Sequence, residues 1–534
     1  MRRVPARLAR GALVDAPRNA ARGDTRRRAV KKRATGLRSC YAVVAPGLER
    51  LAADELRAIK ITPGTIEPGG VEFEADDAGV FNANLHLRTA SRVIVRLAEF
   101  RATAFHELER LARNVRWEEF VPAGSPVRLR VTCRKSRLYH SDAVAQRVGD
   151  AIARRVQGVS VERAGGGKRA AGSDAEPDDD ADAPADRTAQ LFIVRFANDI
   201  CTISADSSGE LLHRRGYRLA TAKAPLRETL AAGMLLAMGY DGSVPLVDPM
   251  CGAGTIAIEG ALIARRIAPG VSRAFSCERW PAAPAKEFAA LRAAARAAEL
   301  PRALAPILAS DRDAGAAEAT LANAERAGVA GDIEIRRGAL SGVTPPPGCG
   351  MLVTNPPYGV RASAGDDVRS LYAQLGNISR AKFAGWTIGF LSAERTMDAQ
   401  VKLRLEEVLK FRNGGIPVRV MRGVVEHRMT RRDFTATMAA LVAAPFALRA
   451  HRAFGGVIPR VASGDVLIAE FSDAGVKLRV SRVPKVVKSD AEWRKQLSPL
   501  GFSVTRKGDT EYAFSGAFWN LHEQGIFRCI CCDT

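Results

Sequence analysis

The stretch Leu246-Val247-Asp248-Pro249-Met250-Cys251-Gly252-Ala253-Gly254-Thr255 decides the fold of this 534-residue chain. It begins as a short apolar strand, continues as a turn with two glycines, and is followed by an apolar helix over 256–264. Glycine permits close approach and unusual dihedral angles, so this arrangement brings backbone N–H groups near a ligand. Taken alone, the turn also fits a nucleotide-binding unit or a simple tight turn. The missing third glycine of the dinucleotide fingerprint, and an Asp at the strand end, favour the positively charged ligand S-adenosylmethionine.

A second acidic position follows the next predicted strand. Residues 306–311 read Pro-Ile-Leu-Ala-Ser-Asp, and 314–327 has the spacing of a helix. A carboxylate at this strand end is suited to grip ribose hydroxyl groups, although an Asp there also caps helices. The glycine-rich turn upstream makes the ligand-binding interpretation the stronger one. We expect cofactor contacts from Asp248, Cys251, Gly252, Gly254, Thr255, Asp311 and Asp313.

The most specific motif is Met-Leu-Val-Thr-Asn-Pro-Pro-Tyr-Gly at 351–359. Two prolines after Asn355 remove backbone donors and hold carbonyl groups in fixed directions. An exocyclic amine on a base is a poor nucleophile, because its lone pair is delocalised into the ring. When the Asn355 side-chain oxygen and the Pro356 carbonyl accept its two N–H bonds, that lone pair turns toward the sulfonium methyl group. Tyr358 offers a face on which the base can stack.

The sequence therefore predicts methyl transfer to an exocyclic amine, with four catalytic residues: Asn355, Pro356, Pro357 and Tyr358. The alternative is a rigid proline turn with a packed tyrosine. The position of the motif after both cofactor motifs favours catalysis. No cysteine nucleophile or metal-binding motif accompanies it in the sequence, which disfavours carbon methylation through a covalent intermediate.

Around these motifs the chain divides into segments of distinct composition. Alternating apolar strands and Ala-rich helices predict a parallel sheet with crossover helices in the catalytic segment, and Ser141 is expected to cap a helix that runs to Val156. The segments are a disordered basic tail (1–38), a first small unit (39–102), a second unit (103–217) with a disordered acidic insertion (164–187), the catalytic unit (218–445), a poorly patterned junction (446–483) and a C-terminal stretch of different character (484–534).

Charge and cysteine content limit the functional classes. The net charge is +22, of which residues 1–37 contribute +10, and the remaining +12 still fits a polyanionic partner better than a small neutral substrate. An Arg-rich genome is the alternative explanation. Six of the nine cysteines are scattered without regular spacing, and the odd total argues against a disulfide framework, so we expect a reducing, cytoplasmic setting. No apolar run approaches the ~20 residues of a membrane span.

Further motifs complete a resemblance. They lie at 87–92 (Leu-Arg-Thr-Ala-Ser-Arg), 134–140, 208–218, 224–230 and 277–281. With these motifs, residues 39–445 resemble the bacterial THUMP-domain RNA methyltransferases, especially those that methylate guanine N2 of large-subunit ribosomal RNA. The resemblance implies a ferredoxin-like subdomain and a THUMP domain, an α+β module that grips structured RNA, followed by a Rossmann-like α/β catalytic domain. By motif match it implies cofactor contacts at Asp248, Gly252, Gly254 and Asp311, and catalysis at 355–358.

Two features refine this resemblance. The family commonly has an acidic residue after the third strand that contacts the adenine amine, whereas 333–340 (Ile-Glu-Ile-Arg-Arg-Gly-Ala-Leu) offers none near Gly338. In the predicted THUMP domain, basic side chains that can bind phosphates lie near aromatic side chains that can stack on bases, a combination suited to RNA. The alternative is a basic strand face that is simply exposed to solvent. The expected RNA-binding residues are Arg128, Arg130, Arg134, Lys135, Arg137, Tyr139 and His140.

The last residues carry a second resemblance. Residues 488–494, 514–516 and 528–532 resemble the start of a B-type methionine sulfoxide reductase. In that family Cys529 and Cys532 are half of a four-cysteine zinc site, and the other half and the catalytic cysteine would lie after Thr534. A truncated fusion or a join of neighbouring genes would explain this pattern. We therefore expect no reductase activity and assign no complete metal site.

Three other functions stay open at this point. The first keeps the amine chemistry and changes the target to transfer RNA, or to adenine N6 in DNA. The THUMP-like region argues against DNA. A non-catalytic RNA-binding protein would not need intact cofactor and amine motifs. A redox repair enzyme would need the missing cysteines.

Overall fold

The computed structural model describes residues 36–163, 188–218, 226–358, 365–426, 465–471, 477–484, 486 and 488–507. Two compact units make up the chain, one over 1–428 and the other over 429–534. Most of the predicted basic tail and the acidic insertion at 164–187 lie outside the described residues. Within the described ranges, no helix is long and apolar enough to span a membrane.

An eight-stranded sheet forms the N-terminal part of the first unit. Its strands are β1 (Arg38–Val44), β2 (Pro63–Glu67), β3 (Gly70–Ala75), β4 (Ala90–Arg101), β5 (Pro126–Arg134), β6 (Ser160–Arg163), β7 (Gln190–Ala197) and β8 (Ile200–Asp206). Its helices are α1 (Glu49–Ala58), α2 (Asp77–His86), α3 (Phe105–Ala112) and α4 (Ser141–Ala153). The strand order is β2-β3-β1-β4-β8-β7-β5-β6. Because the long strand β4 pairs with both β1 and β8, the two small units predicted from sequence share one sheet.

Period-two alternation explains why one face of this sheet is covered. In β5, Val127 and Leu129 are buried, whereas Arg128 and Arg130 on the opposite face are only half-buried. The predicted capping role of Ser141 is wrong by one residue. Helix α4 begins at Ser141, and the Ser141 hydroxyl accepts a hydrogen bond from Arg163 (3.1 Å) rather than from its own helix.

A seven-stranded sheet forms the catalytic part of the same unit. Its strands are β9 (Leu246–Asp248), β10 (Ile307–Asp311), β11 (Ile333–Arg337), β12 (Met351–Thr354), β13 (Thr387–Ser392), β14 (Glu406–Asn413) and β15 (Ile416–Val424). The helices are α5 (Glu228–Ala237), α6 (Thr255–Ala264), α7 (Ala285–Ala297), α8 (Ala314–Arg326), α9 (Gly365–Lys382) and α10 (Arg395–Val401). The order β11-β10-β9-β12-β13-β15-β14 places β9 at the centre, between β10 and β12.

The expectation of a parallel sheet is correct for the five strands from β9 to β13 and wrong for the last two strands. Strand β15 is antiparallel to both β13 and β14. The reason is the connection: only two residues, Gly414 and Gly415, join β14 to β15, and such a short turn can join only antiparallel strands. Both glycines have positive φ (55° and 82°), as a tight hairpin requires.

The three sequence motifs meet at one edge of this sheet. Strands β9, β10 and β12 are adjacent and parallel, so their carboxyl ends lie on the same side. Strand order runs outward in both directions from β9, and ligands of open α/β sheets bind at such a reversal point. The fold therefore gathers the glycine-rich turn, Asp311 and the 355–358 tetrapeptide.

The segment that leaves the N-terminal sheet is bonded to the catalytic part. Arg215 donates to the Arg88 carbonyl (2.7 Å) and to the Glu259 carboxylate (3.3 Å) on α6. The Tyr217 hydroxyl donates to the same carboxylate oxygen (3.1 Å), and Arg326 of α8 donates to the Tyr217 carbonyl (2.8 Å). Buried charged groups need such partners, and these bonds fix the two parts of the first unit against each other.

The second unit has two described pieces. Strands β16 (Asp465–Phe471) and β17 (Lys477–Pro484) form an antiparallel hairpin, so part of the predicted junction is regular structure. Helices α11 (Asp490–Gln496) and α12 (Pro499–Phe502) follow, with Ser489 capping α11. Cys529 and Cys532, on which the reductase resemblance depends, lie outside the described residues.

Candidate active site

The glycine-rich turn between β9 and α6 needs its two glycines for different reasons. Gly254 is the N-cap of α6 with φ of 81°, and a Cβ atom there would lie 2.6 Å from the Thr320 methyl carbon. Gly252 also has positive φ (55°), but a Cβ atom on it would meet nothing within 4 Å. Gly254 is thus required by backbone and packing, whereas Gly252 borders open space that a ligand can enter.

Asp311 joins the second motif to this turn. One carboxylate oxygen accepts the Gly252 N–H (3.0 Å), and the other accepts the Asp313 N–H (3.0 Å). The Cys251 N–H donates to the Ser310 carbonyl (3.0 Å) and ties the same two segments together. Each oxygen of a carboxylate has two acceptor positions. Asp311 therefore keeps acceptor capacity for hydroxyl groups.

Asp313 has a structural role at the start of helix α8. Its carboxylate caps helix α8 by accepting the Gly315 N–H (2.9 Å), and the residue is exposed. This is the capping role that an Asp after a strand often has. A cofactor contact by Asp313 stays a prediction.

Asp248 links the cofactor strand to the catalytic motif. Its carboxylate accepts the Thr354 hydroxyl (2.8 Å) and the Met250 N–H (3.3 Å), and Thr354 directly precedes Asn355. The residue is buried, and burial raises the pKa of its carboxyl from 3.8 to about 7, with the nearby Asp311 charge adding to the rise. A positively charged ligand group would favour the ionised carboxylate here.

Two residues of α8, which the sequence reasoning missed, hold the backbone of the turn. The Thr320 hydroxyl donates to the Gly252 carbonyl (2.9 Å), and the Asn323 amide donates to the Ala253 carbonyl (3.0 Å). Both side chains are fully buried. The Cys251 sulfur lies 3.5 Å from the Thr320 hydroxyl oxygen, and burial raises the pKa of its thiol above the usual range. Cys251 therefore supports the turn as a neutral thiol.

The tetrapeptide starts directly after β12. Asn355 is half-buried, and its side-chain oxygen is buried with no hydrogen-bond partner among the described residues. Buried polar atoms of folded proteins are nearly always paired, so this oxygen is suited to a donor from outside the chain. Pro356 is buried and Pro357 is exposed. Tyr358 is half-buried, and its hydroxyl accepts the Asn413 amide (2.6 Å).

The position after β11 differs from what the resemblance implies. The Gly338 N–H donates to the Asp311 carbonyl (2.8 Å), and a Cβ atom on Gly338 would meet nothing within 4 Å. Glu334 in the preceding strand pairs with Arg336. The described structure thus leaves open space at this position and supplies no acidic side chain to it.

The predicted RNA-binding residues occupy two neighbouring places. Arg128 and Arg130 lie on the less covered face of β5, and Arg134 ends that strand. The other four, Lys135, Arg137, Tyr139 and His140, are exposed in the loop before α4. Arg195 of β7 is exposed, pairs in register with Thr132 of β5, and extends this basic face. The sequence prediction did not include Arg195, although the alternation of buried and exposed residues along its strand indicated it.

The loop at 134–140 is held in place by the turn between β7 and β8. The Arg137 N–H donates to the Asp199 carboxylate (2.8 Å), and the Ser136 hydroxyl accepts the Asp199 N–H (3.0 Å). The rings of Tyr139 and His140 lie 4.0 Å apart, and Tyr139 is 67% exposed. An aromatic pair held at the surface between cationic side chains is suited to base stacking.

Three family descriptions match successive parts of the chain. Residues 39–94 match the RlmL ferredoxin-like domain, 102–165 the THUMP domain, and 215–421 the RMKL-like methyltransferase domain. A putative RNA methyltransferase from Synechocystis is 31% identical over 72% of this chain and 96% of its own length. The chain belongs to the RMKL-like family of RNA methyltransferases.

Other members of the RMKL-like family extend the comparison. The ribosomal RNA large subunit methyltransferase K/L from Syntrophotalea carbinolica is 34% identical over 71% of this chain. The chain spans 53% of that relative, about half the length of the K/L proteins it matches. A putative methyltransferase solved with S-adenosylhomocysteine is 25% identical, covers 74% of this chain and 100% of its own, and has a TM-score of 0.64. A possible methylase from Clostridium difficile 630 is 28% identical over 73% of this chain and 99% of its own, with a TM-score of 0.63.

S-adenosylmethionine is the cofactor of this RMKL-like methyltransferase, and the residues present fit it. The space beside Gly252 admits a ligand next to the N-terminus of α6. Asp248 would supply a carboxylate for a positively charged group, and Asp311 would offer its remaining acceptor positions to hydroxyl groups. The predictions of the fold class and of the cofactor are thereby confirmed.

Proposed function

We propose that this RMKL-like methyltransferase transfers a methyl group from S-adenosylmethionine to the exocyclic N2 amine of a guanine in large-subunit ribosomal RNA. The observation that carries the proposal is the Asn355 side-chain oxygen, buried and without a partner among the described residues. Asn355 directly follows Thr354, whose hydroxyl donates a hydrogen bond to the Asp248 carboxylate at the end of β9. A candidate acceptor for an amine therefore lies next to residues that we expect to hold the cofactor.

The chemistry follows from the tetrapeptide. Bound S-adenosylmethionine supplies an electrophilic methyl group. Asn355 and the Pro356 carbonyl accept the N–H bonds of the amine and orient its lone pair toward that group. The prolines keep these acceptors fixed, since they restrict the backbone and lack N–H donors of their own. Tyr358 holds the base plane by stacking.

RNA as the target rests on three supports. The chain contains a THUMP domain, its K/L relatives are named ribosomal RNA large subunit methyltransferases, and an exposed basic loop with two aromatic rings lies in the THUMP part. We propose that this loop binds RNA phosphates and stacks on bases. Guanine N2 rests on the family resemblance alone, and the cytoplasmic setting stays a prediction. We assign no reductase function to 484–534.

A second target is adenine N6. A protein described as a predicted N6-adenine-specific DNA methylase from Listeria monocytogenes is 29% identical over 72% of this chain and 96% of its own, with a TM-score of 0.61. The same acceptors at 355–358 suit either amine, because both bind through two N–H bonds. Transfer RNA guanine is a third substrate that the same test separates.

One experiment tests the proposal. The purified protein is incubated with labelled S-adenosylmethionine and, separately, ribosomal RNA from a strain that lacks the modification, transfer RNA and DNA. Nuclease digestion and chromatography then distinguish N2-methylguanosine from N6-methyladenine. We expect label in N2-methylguanosine of ribosomal RNA, and a loss of at least about 100-fold in Asn355→Ala with cofactor binding retained. Tight RNA binding by the wild type without transfer to any nucleic acid would sink the proposal.

A further inference from the structure

We infer that Asn413 is a positioning residue for the target base, acting through the hydroxyl of Tyr358. This inference rests on the proposed function, in which Tyr358 stacks on the base. Asn413 belongs to neither the cofactor motifs nor the tetrapeptide, and lies 55 residues after Tyr358 in the chain.

The first argument is the pattern of β14. Its last inward-facing positions are Leu409, Phe411 and Asn413, all buried. Leu409 and Phe411 fill the core as expected for a strand, but Asn413 brings a polar group to a position that is only 8% exposed. Burying an amide costs free energy unless it is hydrogen-bonded. Its described bond is the one to the Tyr358 hydroxyl (2.6 Å).

The second argument is the alternative role of Asn413. Asparagine is common at hairpin turns because its side chain accepts bonds from nearby backbone N–H groups. Here Gly414 and Gly415 supply the positive φ angles of the turn, and the Asn413 amide points to another element. The turn is thus accounted for by the glycines, and the Asn413 side chain serves the contact with Tyr358.

The third argument is the rigidity of the support. Strand β14 pairs along its length with β15. Its Lys410 carbonyl oxygen is packed so closely against Gly47 that a Cβ atom on Gly47 would lie 1.8 Å from it. The N-terminal sheet region therefore packs directly against the strand that carries Asn413. A donor on such a support holds the Tyr358 ring in one orientation before the base arrives, which lowers the entropy lost on binding.

A double-mutant cycle tests the inference. Asn413→Leu keeps an inward apolar side chain of similar size and removes the donor. We expect kcat/KM for RNA to fall about fivefold to tenfold, as for the loss of one hydrogen bond, with cofactor affinity within about twofold. Tyr358→Phe should cause a similar fall, and the double variant should fall no further. An equal additional loss from Asn413→Leu in the Tyr358→Phe background would overturn the inference.

A matched control separates the contact from the hairpin. Arg412 is exposed and donates to the Gly415 carbonyl (2.6 Å) within the same turn. Arg412→Lys keeps the charge and alters that bond without changing Asn413. It should leave kcat/KM unchanged, and a fall as large as that of Asn413→Leu would show that hairpin geometry, not the Asn413 donor, is responsible.

A readout without RNA distinguishes this inference from the proposed function. With 3-fluorotyrosine in the seven tyrosine positions, the Tyr358 fluorine resonance is assigned by its loss in Tyr358→Phe. We expect Asn413→Leu to shift or broaden this resonance and Arg412→Lys to leave it unchanged. An identical resonance in wild type and Asn413→Leu would refute the inference, even if methyl transfer is confirmed. A shifted resonance with no methyl transfer would refute the proposed function instead.

Discussion

The carboxylate of Asp311 accepts the backbone N–H of Gly252 at 3.0 Å, although the two residues are 59 positions apart. This bond turns two separate motifs into one site at the carboxyl ends of β9 and β10. It also fixes the glycine-rich turn before a ligand binds. Asp311 thus has a structural role in addition to any contact with ribose hydroxyl groups.

The first prediction separates the roles of two acidic residues, Asp311 at the end of β10 and Asp313 at the start of α8. Asp311→Ala removes the acceptor for Gly252, so we expect the Kd for S-adenosylmethionine to rise at least about tenfold. Asp313→Ala removes the cap of α8 and should cost about 1 kcal/mol of unfolding free energy. If the Asp313 carboxylate serves only as this cap, the Kd stays within about twofold. Isothermal titration and denaturant unfolding measure both quantities. A tenfold rise of the Kd in Asp313→Ala would instead establish Asp313 as a cofactor contact.

The second prediction concerns the support of the turn by α8. Asn323→Leu leaves the Ala253 carbonyl without its buried donor, which costs about 1–3 kcal/mol. We expect a lower Tm and a Kd for S-adenosylmethionine raised about tenfold. Glu325→Gln, on the exposed side of the same helix, is the control and should change neither. Unchanged cofactor affinity in a folded Asn323→Leu protein would contradict a positioning role.

Much of this site was predictable because its signals are local. The order strand, glycine-rich turn, helix is written in consecutive residues, and Asn355 to Tyr358 are neighbours in sequence. Adjacent parallel strands then bring such strand ends together without further information. The candidate cofactor residues and the tetrapeptide could therefore be named from the sequence, and their roles stay predictions.

The rest depends on packing between distant segments. Asn323 and Asn413 look like ordinary polar residues of a helix and a turn, and only tertiary structure brings them to Ala253 and Tyr358. The pairing of β4 with β8 is equally long-range, so sequence alone separated two units that share a sheet. The reversal of β15 had a local signal in Gly414 and Gly415, but alternating strands and helices upstream favoured a parallel sheet.

The third prediction is a pH dependence set by Asp248. Burial raises the pKa of its carboxyl from 3.8 to about 7, so the folded carboxyl without ligand is protonated below neutral pH. A positively charged cofactor favours the ionised form, and affinity for S-adenosylmethionine should rise with pH from about 5 to 7 and then level off. Titration calorimetry in buffers of different ionisation enthalpy should detect proton release on binding below pH 7.

The same shift predicts the stability of the protein without ligand. Since the unfolded carboxyl ionises near 3.8 and the folded one near 7, Asp248 lowers stability as the pH rises between these values. Asp248→Asn removes this contribution. A cofactor affinity with unchanged pH dependence in Asp248→Asn would show that another group titrates.

The fourth prediction tests the exposed loop of the THUMP domain. Lys135→Ala and Arg137→Ala should each weaken RNA binding for all sequences and reduce the slope of log K against log salt by about one, because each removes one phosphate-binding charge. Tyr139→Ala should cost about 1–3 kcal/mol through lost stacking, with the salt slope unchanged. Fluorescence anisotropy of labelled ribosomal RNA fragments at several salt concentrations measures both effects.

The control for this loop is Arg154→Ala. Arg154 is exposed at the other end of α4, about 20 Å along the helix from the loop. The Arg154→Ala substitution removes one positive charge from the same domain, so it controls for the effect of net charge on association. We expect its salt slope to match that of the wild type. If Arg154→Ala lowers the slope as much as Arg137→Ala does, the overall charge of the domain attracts RNA. The loss of affinity in Tyr139→Ala would then be the remaining evidence for a specific contact at 134–140.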